Sequence, residues 1–287
     1  MLDEASWQAR RDAHQARVDP WIQPYLSRRR RHEPHPVEDF LFTYYSQRPT
    51  RLRRWHPGFG LSLDGAGASD YLALKGYDGQ GDRAAVTRAH VASQRPMVSA
   101  MHTLLTATAN RPAQLGCFGM HEWAMVYRLE QADVRHPSWP LRLGPSGTDA
   151  VVEGNRIACS HFDAFRFFTG DARPLNVLQP GRDDRPAFEQ PGCLHAGMDL
   201  YKHAFRLTPM VASELVADCF ELARDIRVLD MRASPYDLSA LGYPPVRVET
   251  AEGKQEYASA QLAFAERGAP LRKRLIGECE RLLAATR

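Results

Sequence analysis

The sequence predicts an α+β protein that is mainly α, a single compact helical domain with two small β-hairpin excursions. Three observations carry this. Residues 194–207 and 213–232 place apolar side chains at helical spacing. In the second stretch Leu215, Cys219, Leu222, Ile226 and Leu229 advance by four, three, four and three, which makes one seam, and Ser213 suits its N-cap. Alternating runs broken by turn residues occur near 59–75 and 140–153. Finally, 287 residues with 44% hydrophobic and 25% charged side chains suit a globular chain with its own core, and exclude wholesale disorder, collagen and a disulfide scaffold.

The elements follow in chain order. Residues 3–18 have helical character, which Asp19-Pro20 is expected to end. The tract 28–36, four arginines followed by two prolines, reads as a boundary. It divides a helical and basic N-terminal arm, residues 1–35, from one larger domain, residues 36–287. Aromatic and apolar residues cluster from Val37 to Tyr45, until Arg48-Pro49 breaks the pattern. Alternating runs at 59–63 and 71–75 lie within a glycine-rich segment and give the first hairpin. Residues 83–109 read as helix, and 117–129 is apolar and ambiguous. Leu141–Leu143 and Ala150–Glu153 flank Gly-Pro-Ser-Gly and give the second hairpin. Ser160 to Phe168 is expected to be helical, 174–191 a proline-rich loop, 246–248 a short strand, and 254–267 and 270–284 two closing helices.

Charge is balanced overall, at +3, but unevenly placed. Eight arginines fall within residues 28–54 against Glu33, Glu38 and Asp39. That segment is either a solvated charged face or a surface for phosphates. No apolar run is long enough to span a membrane. Five cysteines without an export signal suit a reducing, cytoplasmic location, with no membrane partner.

Three segments share one grammar. Cys117 precedes His121 and Glu122, Cys159 precedes His161 and Asp163, and Cys193 precedes His195 and Asp199, each within seven residues. His195, Asp199 and His203 also recur every four residues on one helix face, a spacing that can offer several ligands to one metal ion. The competing reading is a set of buried cysteines and hydrogen-bonded core histidines. The three histidines are expected to meet in one site drawn from 117–128, 159–168 and 193–203. No C-x-x-C pair, H-E-x-x-H helix, dinucleotide fingerprint, Walker loop or nucleophile elbow is present.

The stretches HPVEDFLFTYYSQRPTRLRRWHPG (35–58), GCFGMHEWAMVYR (116–128), CSHFDAFRFFT (159–169), EQPGCLHAGMDLYKHAF (189–205) and LDMRASPYDL (229–238) resemble a bacterial family commonly labelled 3-methyladenine DNA glycosylase. The resemblance runs from about residue 6 to 275. It implies a DNA-repair hydrolase that flips an alkylated purine such as 3-methyladenine into an aromatic pocket and needs no cofactor. Glu122, Asp163 and Asp199 are then the candidate catalytic carboxylates. Tyr44, Tyr45, Trp55 and Trp123 would stack or wedge, while Arg48, Arg51, Arg53 and Arg54 would hold DNA phosphates. Arg166, Tyr201 and Arg232 complete the substrate-binding candidates.

Two alternatives stand beside this expectation. One is a metal-dependent enzyme (zinc, iron or manganese) acting on a small molecule, with His121, His161, His195 and Asp199 as ligands and Glu122 or Asp163 as base. The other is a non-catalytic binding protein.

Overall fold

The Asp3 carboxylate accepts the Ser6 backbone N–H at 2.8 Å and caps the helix Glu4–Arg31. In this computed structural model, which describes residues 1–286, that helix continues through Pro20, where the sequence predicts a stop, and through Pro24. Trp7, His14, Val18, Ile22 and Tyr25 recur on one face and are buried. Packing of that face outweighs the hydrogen bonds the prolines remove. Arg28 to Arg31 occupy the last turn, where cations meet the negative end of the helix dipole, and the break comes only at the left-handed His32.

Among the described residues there are thirteen α-helices and one three-stranded antiparallel sheet, so the chain is a mainly helical α+β protein. Its contacts cluster into two units. The first holds Met1–Thr106, Leu200–Glu221 and the stretch from Leu271 on. The second holds Ala107–Asp199 and Leu222–Pro270. The helices Leu194–Arg206, Ser213–Arg232 and Ala251–Ala284 give residues to both. Ala251–Ala284 is one helix through Pro270, where the sequence predicts two. No helix among the described residues is long and apolar enough to cross a membrane.

The first unit contains the whole sheet. Strands β1 (Ser62–Asp64), β2 (Tyr77–Asp78) and β3 (Arg83–Val86) lie in the order β1-β3-β2, with Leu63 opposite Ala84 and Tyr77 opposite Val86. The expected partner of β1 at 71–75 is instead the end of the short helix Ser69–Leu72 and a turn. Residues 83–86 supply the central strand, and helix begins only at Arg88. Aromatic rings fill the core. Trp21 stacks on Phe220 at 5.1 Å, Tyr25 on Phe42 at 4.5 Å, and Tyr201 meets Phe220 edge-on at 4.9 Å.

His56 is buried in this unit, with Nδ1 3.0 Å from the Tyr77 hydroxyl. Burial, with the nearby Arg54 and Arg51 charges, pushes its pKa down to about 3. Between the ordinary value near 6.5 and about 3, the unfolded chain therefore takes up a proton that the folded chain refuses. Stability from this group is complete above pH 6.5 and falls by ~1.4 kcal/mol for each pH unit below it. Urea unfolding between pH 7 and pH 4 is expected to show a slope shallower by that amount in a His56→Gln chain; equal slopes would refute the assignment.

The second unit corrects several elements. Gly144–Glu153 is a helix, not a hairpin. Pro145 sits in its first turn, where a missing N–H costs nothing, and Thr148 Oγ donates to the Gly144 carbonyl. Only an isolated bridge, Leu141 to Tyr236, remains of the expected strands. Residues 246–248 are not a strand either, although Val246 and Val248 are buried. Helix covers Met120–Ala124 within 117–129 and Phe162–Phe165 within 160–168.

Candidate metal centre

Three stretches of the second unit converge on one cavity of about 740 Å³. Consecutive left-handed residues, Phe118 (φ 46°) and Gly119 (φ 72°), turn the chain into the helix Met120–Ala124. The turn places Cys117, Phe118 and His121 on the cavity wall. Next, the Cys159 N–H donates to Asn176 Oδ1 at 2.7 Å, and Asn176 Nδ2 donates back to the Cys159 carbonyl at 2.9 Å. This fixes the extended approach to His161. The third stretch turns at Gly192, where a Cβ would lie 2.8 Å from the Gln114 carbonyl oxygen. Gln190 Oε1 accepts the Gln114 and Gly192 N–H groups there, at 2.9 and 2.7 Å, and so sets the start of Leu194–Arg206 and the position of His195.

The three imidazoles meet. His121 and His195 are perpendicular with ring centroids 4.6 Å apart, and His161 lies 5.3 Å from His195. Around them are two buried donor sets. In the first, His121 Nε2 is 2.9 Å from Asp230 Oδ1, and donor atoms of His121, His195 and Asp230 all lie within 4.8 Å of one another. In the second, His161 Nε2 is 3.3 Å from Asp199 Oδ2 and 3.5 Å from Glu189 Oε1.

An arginine distinguishes the two sets. Arg227 Nη1 donates to Asp230 Oδ2 at 2.7 Å and to Glu122 Oε1 at 3.0 Å. It leaves Oδ1, the oxygen facing His121, to a cation. Arg185 instead donates to the same two oxygens that face His161: Nε to Glu189 Oε1 at 2.6 Å and Nη2 to Asp199 Oδ2 at 2.9 Å. The guanidinium already takes the place an ion would need. The first set is thus open and the second is closed by its own cation.

Electrostatics tie His121 and Asp230 to each other. Burial disfavours a charged His121, but the Asp230 carboxylate outweighs it and raises the imidazole well above its ordinary value. Burial pushes Asp230 upward, yet His121 and Arg227 hold it well below the carboxylate range. His195 is lowered by burial and by the His121 charge, so it is neutral, and its ring makes no hydrogen bond among the described residues. Four buried carboxylates (Glu122, Glu189, Asp199, Asp230) pair with the buried Arg227 and the partly buried Arg185. Divalent transition ions bind imidazole and carboxylate at ~2.0–2.2 Å, so tetrahedral ligands sit ~3.3–3.6 Å apart, somewhat wider than the 2.9 Å hydrogen bond between His121 Nε2 and Asp230 Oδ1. Behind His121, Nδ1 is 3.7 Å from Cys117 Sγ, a partner that fixes the ring.

Comparison of the chain with known protein families, curated proteins and solved structures finds no match.

The remaining candidates divide between the units. In the second unit, Glu122 and Asp199 belong to the two arginine networks, while Asp163 pairs with Arg166 at 3.4 Å, and none of the three lines the cavity. Trp123 is fully buried and donates to the Ala233 carbonyl, and Arg232 is taken by the Pro244 carbonyl and Glu256. In the first unit, Trp55 is buried and donates to Glu214, Tyr201 is core, and Arg53 pairs with Asp19. Tyr44 stacks on Phe40 and meets Tyr45 edge-on within an aromatic cluster, and Arg54 is exposed. Arg48 and Arg51 border a separate hollow. His203 is in neither donor set, so the helical triplet does not act as one ligand set. Asp230, Arg227, Glu189 and Arg185 are the members that residue spacing misses. The available signal was Arg227 and Asp230 lying one position beyond Ile226 and Leu229 of the apolar seam, next to the core.

Proposed function

We propose that the second unit is a metal-dependent enzyme domain acting on a small anionic molecule. The observation that carries this is the open His121–His195–Asp230 set: two of its imidazoles form part of the cavity wall and the carboxylate is anchored behind them by Arg227. Two histidines and one carboxylate leave coordination positions for water or substrate. The cavity volume suits an ordinary metabolite. No Asp or Glu lines it, whereas Arg111, Arg156 and Lys254 do, which favours an anion. Arg111 is held by the Ala107 and Glu189 carbonyls, leaving its charge uncompensated. Phe118, Leu178 and Phe188 give the ligand an apolar wall.

The geometry lends less support to base excision. Glu122, Asp163 and Asp199 are each tied to an arginine outside the cavity lining, so no carboxylate faces a flipped base there. The test separates the two readings. Protein purified without a histidine tag is expected to hold about one divalent transition ion per chain, which a chelator removes with loss of thermal stability. An ion at a hundred times its Kd contributes ~2.7 kcal/mol. Zinc would assign activation of water, and ferrous iron oxygen chemistry. Protein that takes up neither zinc, manganese nor iron, yet releases alkylated purines from methylated DNA in chelator, would overturn the proposal in favour of the glycosylase.

A further inference from the structure

The first unit carries a second hollow, of about 810 Å³, with a different chemistry. Its walls include Arg48, Arg51, Lys202 and Arg206, with no Asp or Glu among them. Most other arginines of this unit are neutralised: Arg10 by Glu214, Arg17 by Asp218 and Glu221, Arg28 by Asp39, Arg53 by Asp19. Among the described residues, Arg48, Arg51 and Arg206 have no carboxylate partner. Two backbone elements bring the cations together. Arg48 and Arg51 sit three residues apart at the start of Pro49–Arg53, and Lys202 and Arg206 four apart toward the end of Leu194–Arg206. Like charges at these spacings repel, and no carboxylate lines the hollow.

Gln47 supplies an independent observation. It lines the same hollow, is only 8% exposed, and its Oε1 is buried without a hydrogen-bond partner. A buried amide in that state is costly unless a ligand satisfies it. Arg51 is steadied over the Phe205 ring at 5.5 Å and Lys202 over Tyr45 at 5.8 Å, so part of the cluster is already ordered.

We infer that this hollow is a binding site for the diphosphate group of a small molecule. Three or four clustered cations match the charge of a diphosphate, and arginine forks suit its oxygens. A concave site of this size encloses a small polyanion, whereas a duplex is held by contacts spread along a surface. The inference does not depend on the metal centre.

The experiment uses inorganic pyrophosphate and ADP as probes, with sulfate as the control anion, on wild type and on a His195→Ala chain treated with chelator. Pyrophosphate at several times its Kd is expected to raise Tm by about 2–4 °C in both, and sulfate less. ADP matching or exceeding pyrophosphate marks a nucleotide as the source, and ADP without effect marks free pyrophosphate. In an Arg48→Gln/Arg206→Gln chain the affinity for pyrophosphate is expected to fall at least tenfold. The ligand-free variant should melt no lower than wild type, because repulsion is relieved. No Tm shift at millimolar pyrophosphate, an unchanged affinity in the variant, or binding of a DNA duplex that pyrophosphate does not displace would each overturn the inference. Loss of the shift in the His195→Ala chain alone would place the anion at the cavity of the second unit and overturn it too.

Discussion

Asp230→Asn is expected to abolish metal binding at the His121–His195 set while Glu122→Gln leaves it intact. Both changes remove a buried partner of Arg227. Breaking a buried ion pair from one side costs ~3–5 kcal/mol, so both chains should be less stable without metal. Only Asp230, however, also presents an oxygen to His121 at 2.9 Å. Loss of a group that merely orients a ligand already costs ~10–100-fold in metal affinity, and loss of the carboxylate ligand itself should cost more. Elemental analysis together with thermal melts at graded zinc and manganese separates the pair. Equal metal content in the two variants would show that Asp230 is structural.

The second large effect belongs to Arg185. Its guanidinium holds Glu189 and Asp199 at the oxygens that face His161. Arg185→Met should strand two buried carboxylates and destabilise the metal-free chain by ~3–5 kcal/mol. It should also free a donor set whose atoms already lie within 4.8 Å of one another. Added divalent ion is therefore expected to recover most of the lost stability, and the bound metal to rise from about one to about two equivalents per chain. A chain that stays at one equivalent, or whose stability ignores added metal, would show that the second set cannot accept an ion even when unplugged.

Much of the helical framework was legible from spacing. The seam through Leu215, Cys219, Leu222, Ile226 and Leu229 is buried in Ser213–Arg232, and the acids on its other face meet solvent-side arginines, as between Asp225 and Arg267. What misled was punctuation. Pro20 and Pro270 read as breaks but lie inside helices, because burial of a whole helix face outweighs one missing hydrogen bond. Gly-Pro-Ser-Gly read as a turn between strands but opens a helix, since proline favours a first turn as readily as a bend.

For the site, the recurrent pairing of cysteine and histidine was visible, and those segments do converge. Their carboxylate partners were not visible by the same rule. Asp230 lies 109 residues beyond His121, and Glu189 lies in a proline-rich loop whose mixed charge looks like solvent-facing sequence. Local spacing cannot register a partner supplied by tertiary folding. It also grouped His195 and Asp199 as joint ligands of one ion, whereas each joins a different set.

That last separation has a consequence of its own. One turn of a single helix carries a donor for the open set and a donor for the plugged set. The turn acts as a spacer of fixed pitch. Inserting or deleting one residue between 195 and 199 would rotate one donor by about 100° relative to the other. Arg185, by gripping Asp199, therefore clamps the ruler along which His195 is measured, and the ion-pair network sets the aim of the metal ligand above it.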